Sequence, residues 1–444
     1  MTAKALILAA GAGTRMKSDK PKVVHEVLGK PLVRWVVDAA HDAGIEDVVT
    51  VLGHMSEKVA PFVEGDTKIA IQTQQLGTGD AVNAGREAFT QADGSIAEGS
   101  LVVLSGDCPL ITPETIQALI AKREETGAAV VVLTMHMDDP FGYGRIVREG
   151  EAVVRIVEQK DANEQEVAIT ECNSGFYCFD APALFDALSR VSNDNAQGEY
   201  YLTDVLEICR NDGREVLALQ TADAEEAMGV NSRVQLAQAT HAMQHRINNR
   251  HMMAGVTMWD PESTFIGPDV EIAQDVELWP QTYLLGTTKV GSHSVIGPNT
   301  RLTDTQVGCG ARVDETVAIE AQIDDAAECG PRAYLRPGTH LCEGAKAGTH
   351  VEIKKSTIGK GSKVPHLSYI GDTTMGENVN IGAGSITCNY DGVNKNHTEI
   401  GDNVFVGSDT MMVAPVNIGA GAIIGASSCI TRDVAPDALA LERA

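Results

Sequence analysis

A glycine-rich segment near the start of the chain has the residue types needed to hold a phosphate group. Residues 8–16 read LAAGAGTRM, and Lys22 follows within a Lys-Pro-Lys tripeptide. Small residues let the backbone approach phosphate oxygens closely, so that successive N–H groups can donate to them, while Arg15 and Lys22 add positive charge. A plain tight turn would explain a lone Gly-x-Gly equally well, so the choice depends on further motifs.

The nine cysteines indicate neither a zinc cluster nor a disulfide framework. They are scattered from Cys108 to Cys429 without a C-x-x-C pair, their number is odd, and no histidines cluster at zinc spacing. We therefore expect reduced thiols. Cys108 follows Asp107 but has no apparent histidine partner, so we do not expect it to act as a nucleophile.

The elements that must position the glycine-rich segment alternate in type over residues 1–231. Short apolar runs at 5–8, 48–52, 101–104 and 130–133 predict strands, and the longer segments 32–43 and 113–126 predict crossover helices. The second helix has Thr112 as its N-cap, Pro113 at its first position and Gly127 at its end. The alternation predicts an α/β domain with a Rossmann-like, mostly parallel sheet.

The periodicity changes near Gly255. Residues 232–254 predict a helical linker, whereas apolar residues recur at every sixth position from 266 to 302 and again from 400 to 430, often followed by Gly. A six-residue repeat predicts a left-handed parallel β-helix in which three repeats close one coil. We expect about nine coils over residues 264–430, within a domain of residues 255–444. Residues 387–398 break the period and should loop out, and such loops often carry function.

Composition narrows the class of protein. The chain has 444 residues, 43% of them hydrophobic and 22% charged, and no apolar stretch approaches the roughly 18 residues of a membrane span. The glycine-rich segment interrupts any signal peptide, so we expect a cytoplasmic protein. A net charge of −26 disfavours binding to nucleic acid or to an anionic membrane. Anionic ligands would therefore need local cations.

Five ordered segments resemble the nucleoside-diphosphate-sugar pyrophosphorylase family. The signature L-A-A-G-x-G-T-R-M, then P-K, stands at residues 8–16 and 21–22. The others are 72–79 (QTQQLGTG), 104–110 (LSGDCPL), 142–146 (GYGRI) and 198–204 (GEYYLTD). The resemblance implies that a sugar 1-phosphate attacks the α-phosphorus of a nucleoside triphosphate and releases pyrophosphate. The nucleophile is already an anion, so charge neutralisation and positioning are required rather than a protein base.

Asp107 is central to this expectation, because a carboxylate at a strand end can bind Mg²⁺. The resemblance implies Asn231 as the second Mg²⁺ ligand, residues around the uracil at 72, 77 and 78, and residues around the sugar at 144, 158 and 173. The full set predicted to bind UTP or the UDP-sugar is Leu8, Ala9, Ala10, Gly11, Arg15, Lys22, Gln72, Gly77, Thr78, Ser105, Gly106, Asp107, Gly144, Glu158, Asn173 and Asn231. Ser105 stands where relatives often carry an aromatic residue.

Plainer roles stay open for several of these residues. Asp107 could cap a strand end, Glu158 could be a solvated surface charge, and Asn173 could be a turn residue.

Motifs in the repeat half are similar to those of acyl-CoA-dependent acyltransferases. They are 335–338 (LRPG), 351–356 (VEIKKS), 366–372 (HLSYIGD), 380–384 (NIGAG), 388–392 (CNYDG) and 406–409 (VGSD). Together with the first half they resemble the family of bifunctional N-acetylglucosamine-1-phosphate uridyltransferases and glucosamine-1-phosphate acetyltransferases. This resemblance covers nearly the whole chain.

Acetyl transfer to an amino sugar needs a base to remove a proton from nitrogen, and histidine suits that task near neutral pH. We predict His366 as this base. The resemblance places Arg336 and Lys354 at the sugar phosphate, although either cation could merely offset nearby acids. It places Tyr369, Asn380 and Asn389 at the sugar, and Ala383, Asn389, Tyr390, Ser408, Ala426 and Arg443 at acetyl-CoA. His340, His350 and His397 lack such a setting, so we expect surface or turn roles for them.

The resemblance implies two successive reactions. The C-terminal domain would acetylate glucosamine 1-phosphate with acetyl-CoA, and the N-terminal domain would couple N-acetylglucosamine 1-phosphate to UTP with Mg²⁺. The product, UDP-N-acetylglucosamine, would feed cell-wall peptidoglycan and lipopolysaccharide precursors, and we expect a homotrimer. Two alternatives remain: a pyrophosphorylase for another sugar with a purely regulatory β-helix, and a sugar-nucleotide sensor without turnover.

Overall fold

The computed structural model describes residues 3–442. The chain divides into two compact units, Met1–Met243 and Gln244–Ala444. The division falls inside the helix Arg233–Met253, within the segment that the sequence predicts as a linker. The domain limits 1–231, 232–254 and 255–444 stay a prediction. Among the helices of residues 3–442, none is long and apolar enough to cross a membrane.

The first unit is built on a nine-stranded sheet. Its central path runs in the order Val216–Gln220, Val130–His136, Glu171–Asp180, Ser100–Ser105, Lys4–Ala9, Asp47–Leu52 and Lys68–Ile71. The strands Arg145–Glu149 and Ala152–Val157 extend it from the side of Glu171–Asp180. Glu171–Asp180 is antiparallel to both of its neighbours on the path, whereas the other neighbouring pairs are parallel. A separate small sheet pairs Glu26–Val27 with Lys30–Pro31.

Helices flank this sheet. The α-helices of the chain are Leu32–Asp42, Ser56–Val59, Thr78–Ala84, Pro113–Thr126, Glu164–Val167, Ala181–Leu188, Asp204–Asn211 and Arg233–Met253. Short 3₁₀-helices cover Thr14–Met16, Lys22–Val24, Ala60–Phe62, Arg86–Phe89, Ala224–Ala227 and Pro261–Ser263. The predicted helix 113–126 has the expected caps: the Thr112 side chain accepts from the Thr115 N–H, and Gly127 is left-handed at φ 70°. The predicted helix 32–43 ends one residue early, at Asp42.

The carboxyl ends of the central parallel strands position the residues of the glycine-rich segment. Lys4–Ala9 pairs with Ser100–Ser105 so that Leu8 lies opposite Ser105, and the Gly106 N–H donates to the Leu8 carbonyl at 2.9 Å. Both strands are buried because helices cover each face of the sheet. Ligands of open α/β sheets bind at this edge, outside the carboxyl ends of the strands.

The second unit is a stack of three parallel sheets. The first contains Thr257–Met258, Glu277–Leu278, Val295–Ile296, Arg312–Val313, Glu328–Cys329, Lys346–Thr349, Lys363–His366, Asn380–Ile381, Phe405–Val406, Ile423–Ile424 and Leu439–Ala440. The second contains Phe265–Ile266, Tyr283–Leu285, Arg301–Thr303, Val317–Ile319, Tyr334–Leu335, Glu352–Lys354, Tyr369–Gly371, Ile386–Cys388, Met411–Val413 and Cys429–Ile430. The third contains Glu271–Ile272, Lys289–Val290, Gln306–Val307, Gln322–Ile323, His340–Leu341, Thr357–Ile358, Thr373–Met375, Thr398–Ile400 and Val416–Ile418. We call them the eleven-, ten- and nine-stranded sheets of the β-helix, to distinguish the last from the nine-stranded sheet of the first unit.

Successive strands along the chain belong to different sheets, so each set of three strands makes one coil of the predicted β-helix. Ile266 pairs with Leu284 and Leu284 with Leu302, and all three side chains are fully buried in the stack. The predicted excursion is shorter than 387–398, because Ile386–Cys388 and Thr398–Ile400 are strands and only 389–397 leaves the coil. Strands also lie outside 264–430, at Thr257–Met258 and Leu439–Ala440.

Candidate active sites

A cleft of about 310 Å³ opens at the carboxyl edge of the first unit's sheet. Its lining includes many of the residues predicted from the sequence: Leu8, Ala9, Ala10, Gly11, Lys22, Gln72, Gly77, Thr78, Ser105 and Asp107. Val23, Gln75, Ala81 and Glu199 also line it and were not predicted. Arg15 is exposed and is not among the lining residues, so its phosphate contact stays a prediction.

Lys22, Asp107 and Asn231 meet at this cleft although they lie far apart in sequence. The Lys22 ammonium forms an ion pair with Asp107 and donates to the Asn231 side-chain oxygen at 2.8 Å. The Val230 N–H donates to the Asp107 carbonyl at 2.9 Å, which ties the turn before Asn231 to the end of the strand. The Lys22 ammonium thus lies between a carboxylate oxygen and an amide oxygen. Oxygen atoms are the ligands that Mg²⁺ prefers.

Gly13 determines how closely Lys22 can approach the glycine-rich segment. Its backbone is left-handed at φ 62°, and a Cβ there would lie 2.5 Å from the Lys22 Cβ. A side chain at position 13 would therefore displace Lys22 from Asp107 and Asn231.

We expect Gly13→Ala to lower the predicted uridylyl transfer at least tenfold, because the Lys22 ammonium is displaced from the edge where we expect phosphate to bind. Gly127→Ala is the matched control, since Gly127 is also left-handed, at φ 70°, but has open space around its Cβ position. Both substitutions place alanine in a left-handed backbone conformation. A comparison of pyrophosphate release by the two variants therefore shows the effect of the clash with Lys22. Equal losses in the two variants would contradict this role of Gly13.

Gln72, Gly77 and Thr78 lie at the part of the cleft that meets the segment 199–203. The buried Gln72 amide donates to the Asp80 carboxylate at 2.8 Å and to the Gly77 carbonyl at 3.2 Å. A Cβ on Gly77 would lie 2.6 Å from the Tyr200 carbonyl oxygen, and the Thr78 hydroxyl accepts from the Leu202 N–H at 3.1 Å. These contacts hold in place the backbone groups that we expect to form hydrogen bonds with a planar base.

Gly144, Glu158 and Asn173 are neighbours, as the resemblance implies. The Asn173 N–H donates to the Gly144 carbonyl at 2.9 Å, and a Cβ on Gly144 would lie 3.5 Å from a Glu158 carboxylate oxygen. The pKa of Glu158 is raised, chiefly because burial disfavours the charged form and further because Asp161, Asp204 and Glu199 are negative; the Thr203 hydroxyl partly offsets this. The Glu158 side chain is half-buried rather than fully solvated.

The ten-stranded sheet gathers a second polar site. Arg336 donates to Glu352 at 2.9 Å, and Lys354 contacts the two Asp372 carboxylate oxygens at 3.0 and 3.3 Å. Leu335 and Ile353 pair in register, so the cations that follow them lie one coil apart on the same face. Burial alone would raise the pKa of Asp372, but Lys354 and Asn389 hold it below its usual value.

Lys395 is the cation that the sequence interpretation missed. It lies in the excursion 389–397 and is exposed, and its pKa is lowered chiefly by the adjacent Lys354 ammonium, with a smaller contribution from Arg336. Arg336, Lys354 and Lys395 thus form a group of three cations beside the carboxylates Glu352 and Asp372, in a chain whose net charge is −26. An anion placed among them would relieve their mutual repulsion.

Tyr369 and Asn389 lie beside this cation group. The Asn389 amide donates to the Tyr369 hydroxyl at 3.4 Å and to Asp372, and both side chains lie against the backbone of Gly371. A Cβ on Gly371 would lie 2.5 Å from the Tyr369 hydroxyl and 2.6 Å from the Asn389 amide nitrogen.

We expect Gly371→Ala to lower acetyl transfer about tenfold or more and to leave uridylyl transfer unchanged, because Tyr369 and Asn389 must both move. Gly267→Ala is the matched control: Gly267 also follows an inward apolar residue, Ile266, in this sheet, but the nearest atom to its Cβ position is 3.6 Å away. Thiol release from acetyl-CoA measures the effect. A loss as large for Gly267→Ala would show a general disturbance of the coil instead.

His366 stands at one corner of the β-helix at the head of a row of small residues. It lies two positions after Val364, whose side chain points inward. In the coils that follow, the inward residues are Ile381, Val406 and Ile424. The positions two residues after them are occupied by Ala383, Ser408 and Ala426. Successive coils are about 4.8 Å apart, so the row forms a narrow exposed strip. Its turns need Gly382 and Gly407, where a Cβ would come within 2.4 Å of the next coil's backbone.

The remaining predicted residues of this site lie on both sides of the row. The His366 side chain is exposed, and only two residues separate it from Tyr369 on the neighbouring sheet. Asn380 is half-buried on the strand before Ala383, while Tyr390 is exposed and its hydroxyl donates to the Gly392 carbonyl at 2.6 Å. Arg443 lies outside the described residues.

Two family matches accord with this architecture. Residues 5–207 match the MobA-like NTP transferase domain, and residues 397–432 match the bacterial transferase hexapeptide family of six repeats. They confirm the predicted fold class. Among solved structures, a UDP-glucose pyrophosphorylase complexed with UDP-glucose is similar with a TM-score of 0.45 and 20% identity, covering 55% of this chain and 100% of that one. At this level the likeness bears on neither ligand nor reaction.

Relatives named bifunctional protein GlmU match the chain throughout. The protein of Syntrophomonas wolfei is 48% identical over 448 residues, covering 100% of this chain and 98% of that one. The protein of Streptomyces coelicolor is 51% identical over 446 residues, covering 99% of this chain and 92% of that one. These matches confirm the resemblance inferred from the motifs of both halves. With about half of the aligned residues identical over nearly its full length, the chain belongs to the GlmU family of bifunctional proteins.

Proposed function

We propose that the chain makes UDP-N-acetylglucosamine in two steps. The second unit transfers the acetyl group of acetyl-CoA to glucosamine 1-phosphate, and the first unit transfers the uridylyl group of UTP to N-acetylglucosamine 1-phosphate. The observation that carries this proposal is that the chain matches one bifunctional family over its full length. Residues of both motif sets also lie close together, around Lys22 and Asp107 in one unit and around Arg336 and Lys354 in the other.

Uridylyl transfer requires the phosphate of the sugar to approach the α-phosphorus of UTP in line with the leaving pyrophosphate. The Lys22 ammonium and the backbone N–H groups of residues 9–11 offset negative charge at this edge, and Gln72 supports the Gly77–Thr78 backbone for the base. We assign Glu158 and Asn173 the binding of hydroxyl groups of the sugar. The sugar phosphate attacks, the bond to the β-phosphate breaks, and pyrophosphate leaves.

We propose Asp107 and Asn231 as the protein ligands of Mg²⁺. The fit rests on their oxygens, which already converge on one ammonium group. When bound, Mg²⁺ would neutralise negative charge on the phosphate oxygens. Lys22 must then turn away from Asp107 and donate to phosphate instead.

Acetyl transfer requires a neutral amine at the corner occupied by His366. We propose that Arg336, Lys354 and Lys395 hold the sugar phosphate and that Tyr369, Asn380 and Asn389 orient the ring. The amine nitrogen attacks the thioester carbonyl, the His366 imidazole accepts the amine proton, and the thiolate of coenzyme A leaves with the electron pair of the C–S bond. The strip of Ala383, Ser408 and Ala426 offers a path for the narrow pantetheine arm.

We further propose a homotrimer in the cytoplasm. Phe405, Ile423 and Leu439 pair in register on the eleven-stranded sheet and expose large apolar side chains, which favours burial against another chain. The described cysteines are all free, in keeping with a reducing compartment.

A single reaction mixture tests the proposed function. Purified protein receives glucosamine 1-phosphate, acetyl-CoA, UTP and Mg²⁺, and UDP-N-acetylglucosamine is measured while each component is omitted in turn. We expect product only in the complete mixture, and N-acetylglucosamine 1-phosphate should replace the first two components. Release of pyrophosphate without thiol release would favour a pyrophosphorylase with a non-catalytic β-helix. Absence of both would favour a sensor.

A further inference from the structure

Three side chains of types that bind metal ions lie close together on the nine-stranded sheet of the β-helix. The cation group around Lys354 lies on a different sheet. They are Asp324, His340 and Cys342, and their ligand atoms all lie within 4.8 Å of one another. The His340 Nε2 lies 2.7 Å from an Asp324 carboxylate oxygen and 3.9 Å from the Cys342 sulfur. This group was not predicted from the sequence, because its members are not arranged as C-x-x-C or as clustered histidines.

The β-helix brings these residues together through its register. Ile323 and Leu341 are paired neighbours in adjacent coils, so Asp324 and Cys342, which directly follow them, occupy equivalent positions one coil apart. His340 begins the strand His340–Leu341 and Cys342 directly follows it, and the ligand atoms of the two side chains lie within 4.8 Å of each other. All three residues belong to a ladder of backbone hydrogen bonds that holds their Cα atoms in place.

We propose that Asp324, His340 and Cys342 form a site for a borderline transition-metal ion of the Zn²⁺ class. A carboxylate, an imidazole and a thiolate are ligands that such ions share, whereas Mg²⁺ prefers oxygen alone. Tetrahedral coordination at about 2.0–2.3 Å requires ligand atoms roughly 3.3–3.8 Å apart. The distances of 2.7 and 3.9 Å from the His340 Nε2 lie on either side of this range, so the side chains must shift when an ion binds.

The surroundings suit a bound ion. The Gln322 amide donates to the second Asp324 oxygen at 2.8 Å, which orients the carboxylate as outer contacts of metal ligands do. The side chains of His340 and Asp324 are each about one-third exposed, so an ion can enter and keep a water molecule as its fourth ligand. Binding would release the Cys342 thiol proton to solvent, and the neutral imidazole would carry its remaining hydrogen on Nδ1.

The test uses Co²⁺ as the probe, added to the full-length protein while absorption is recorded. Thiolate coordination gives a sulfur-to-cobalt charge-transfer band in the near ultraviolet, and tetrahedral geometry gives intense visible bands. We expect one such centre per chain, displaced by Zn²⁺ and not by Mg²⁺. The charge-transfer band should disappear in Cys342→Ser, and the visible bands should weaken in His340→Gln.

Matched controls keep this test specific. Cys309→Ser removes an exposed cysteine of the same β-helix, and His350→Asn removes an exposed turn histidine; both should retain the full Co²⁺ spectrum. Circular dichroism establishes that Cys342→Ser and His340→Gln remain folded. The proposal is overturned if the wild-type protein shows no thiolate band, or if folded Cys342→Ser retains it. An ordinary Asp324–His340 hydrogen bond without metal binding would give the first of these results.

Discussion

Replacing Asp107 by Asn is expected to reduce pyrophosphate release by at least a hundredfold while acetyl transfer stays unchanged. Changes in the outer contacts of a metal site already lower metal affinity about 10- to 100-fold, and Asp107 is proposed as a direct ligand. The substitution keeps the side-chain shape and leaves the hydrogen bond from the Val230 N–H to the Asp107 carbonyl intact. The loss would therefore come from the missing negative charge rather than from a disturbed fold.

The Mg²⁺ dependence of the Asp107→Asn variant separates two explanations. A lost metal ligand should raise the Mg²⁺ concentration needed for half-maximal rate, so that excess Mg²⁺ restores part of the activity. Asp93→Asn is the control, because Asp93 is an exposed loop carboxylate that accepts from the Ser95 N–H and hydroxyl. A variant with normal Mg²⁺ dependence and normal rate would leave Asp107 with only its strand-end role.

The Asp107→Asn substitution also removes the ion-pair partner of Lys22. In the ion pair with Asp107, each group neutralises the other while both are mostly shielded from solvent. The Asn variant leaves the ammonium with the neutral Asn231 oxygen as its remaining acceptor in this group. With Mg²⁺ bound as proposed, Lys22 and Mg²⁺ would alternate at Asp107, so the carboxylate would be paired in either state and would not be left as a buried, uncompensated charge.

Much of the fold was predictable because its signals are local and repeated. The helix Pro113–Thr126 has its cap residues within the same segment, and the six-residue period fixes which side chains of the β-helix point inward. The limits of the excursion were less predictable. Thr387 is fully buried and its hydroxyl accepts from the Gly371 N–H at 2.7 Å, so a contact from an earlier coil keeps it in the strand.

Residues of the candidate sites were predictable where a family motif assigns them a role. They were less predictable where the fold brings a residue without an assigned role into the site. Asp372 pairs with Lys354 and Lys395 belongs to the cation group, yet the motif reasoning assigned neither a role. Lys395 is brought near Lys354 by the path of the excursion, which the period marks only as an interruption. Asp324, His340 and Cys342 show the same limit, since coil register rather than sequence spacing brings them together.

Replacing His366 by Ala is expected to lower acetyl transfer by about 10²–10⁴-fold, the usual contribution of a positioned general base. The fold should persist because the side chain is exposed, and the hydrogen bond from the Ser368 hydroxyl goes to the His366 backbone carbonyl. Uridylyl transfer should be unaffected, since its nucleophile needs no base. His350→Asn is the control, because His350 is left-handed at φ 55°, a conformation that Asn tolerates.

Chemical rescue distinguishes a base from a structural side chain at position 366. Imidazole added to His366→Ala can occupy the space left by the missing ring and accept the amine proton, so the acetyl-transfer rate should rise with imidazole concentration. The His350→Asn variant should show no such rise. A His366→Ala enzyme that keeps its normal rate refutes the base assignment. A slow enzyme that imidazole does not accelerate would instead place His366 among the residues that orient the substrate, because a misplaced amine gains nothing from a free base.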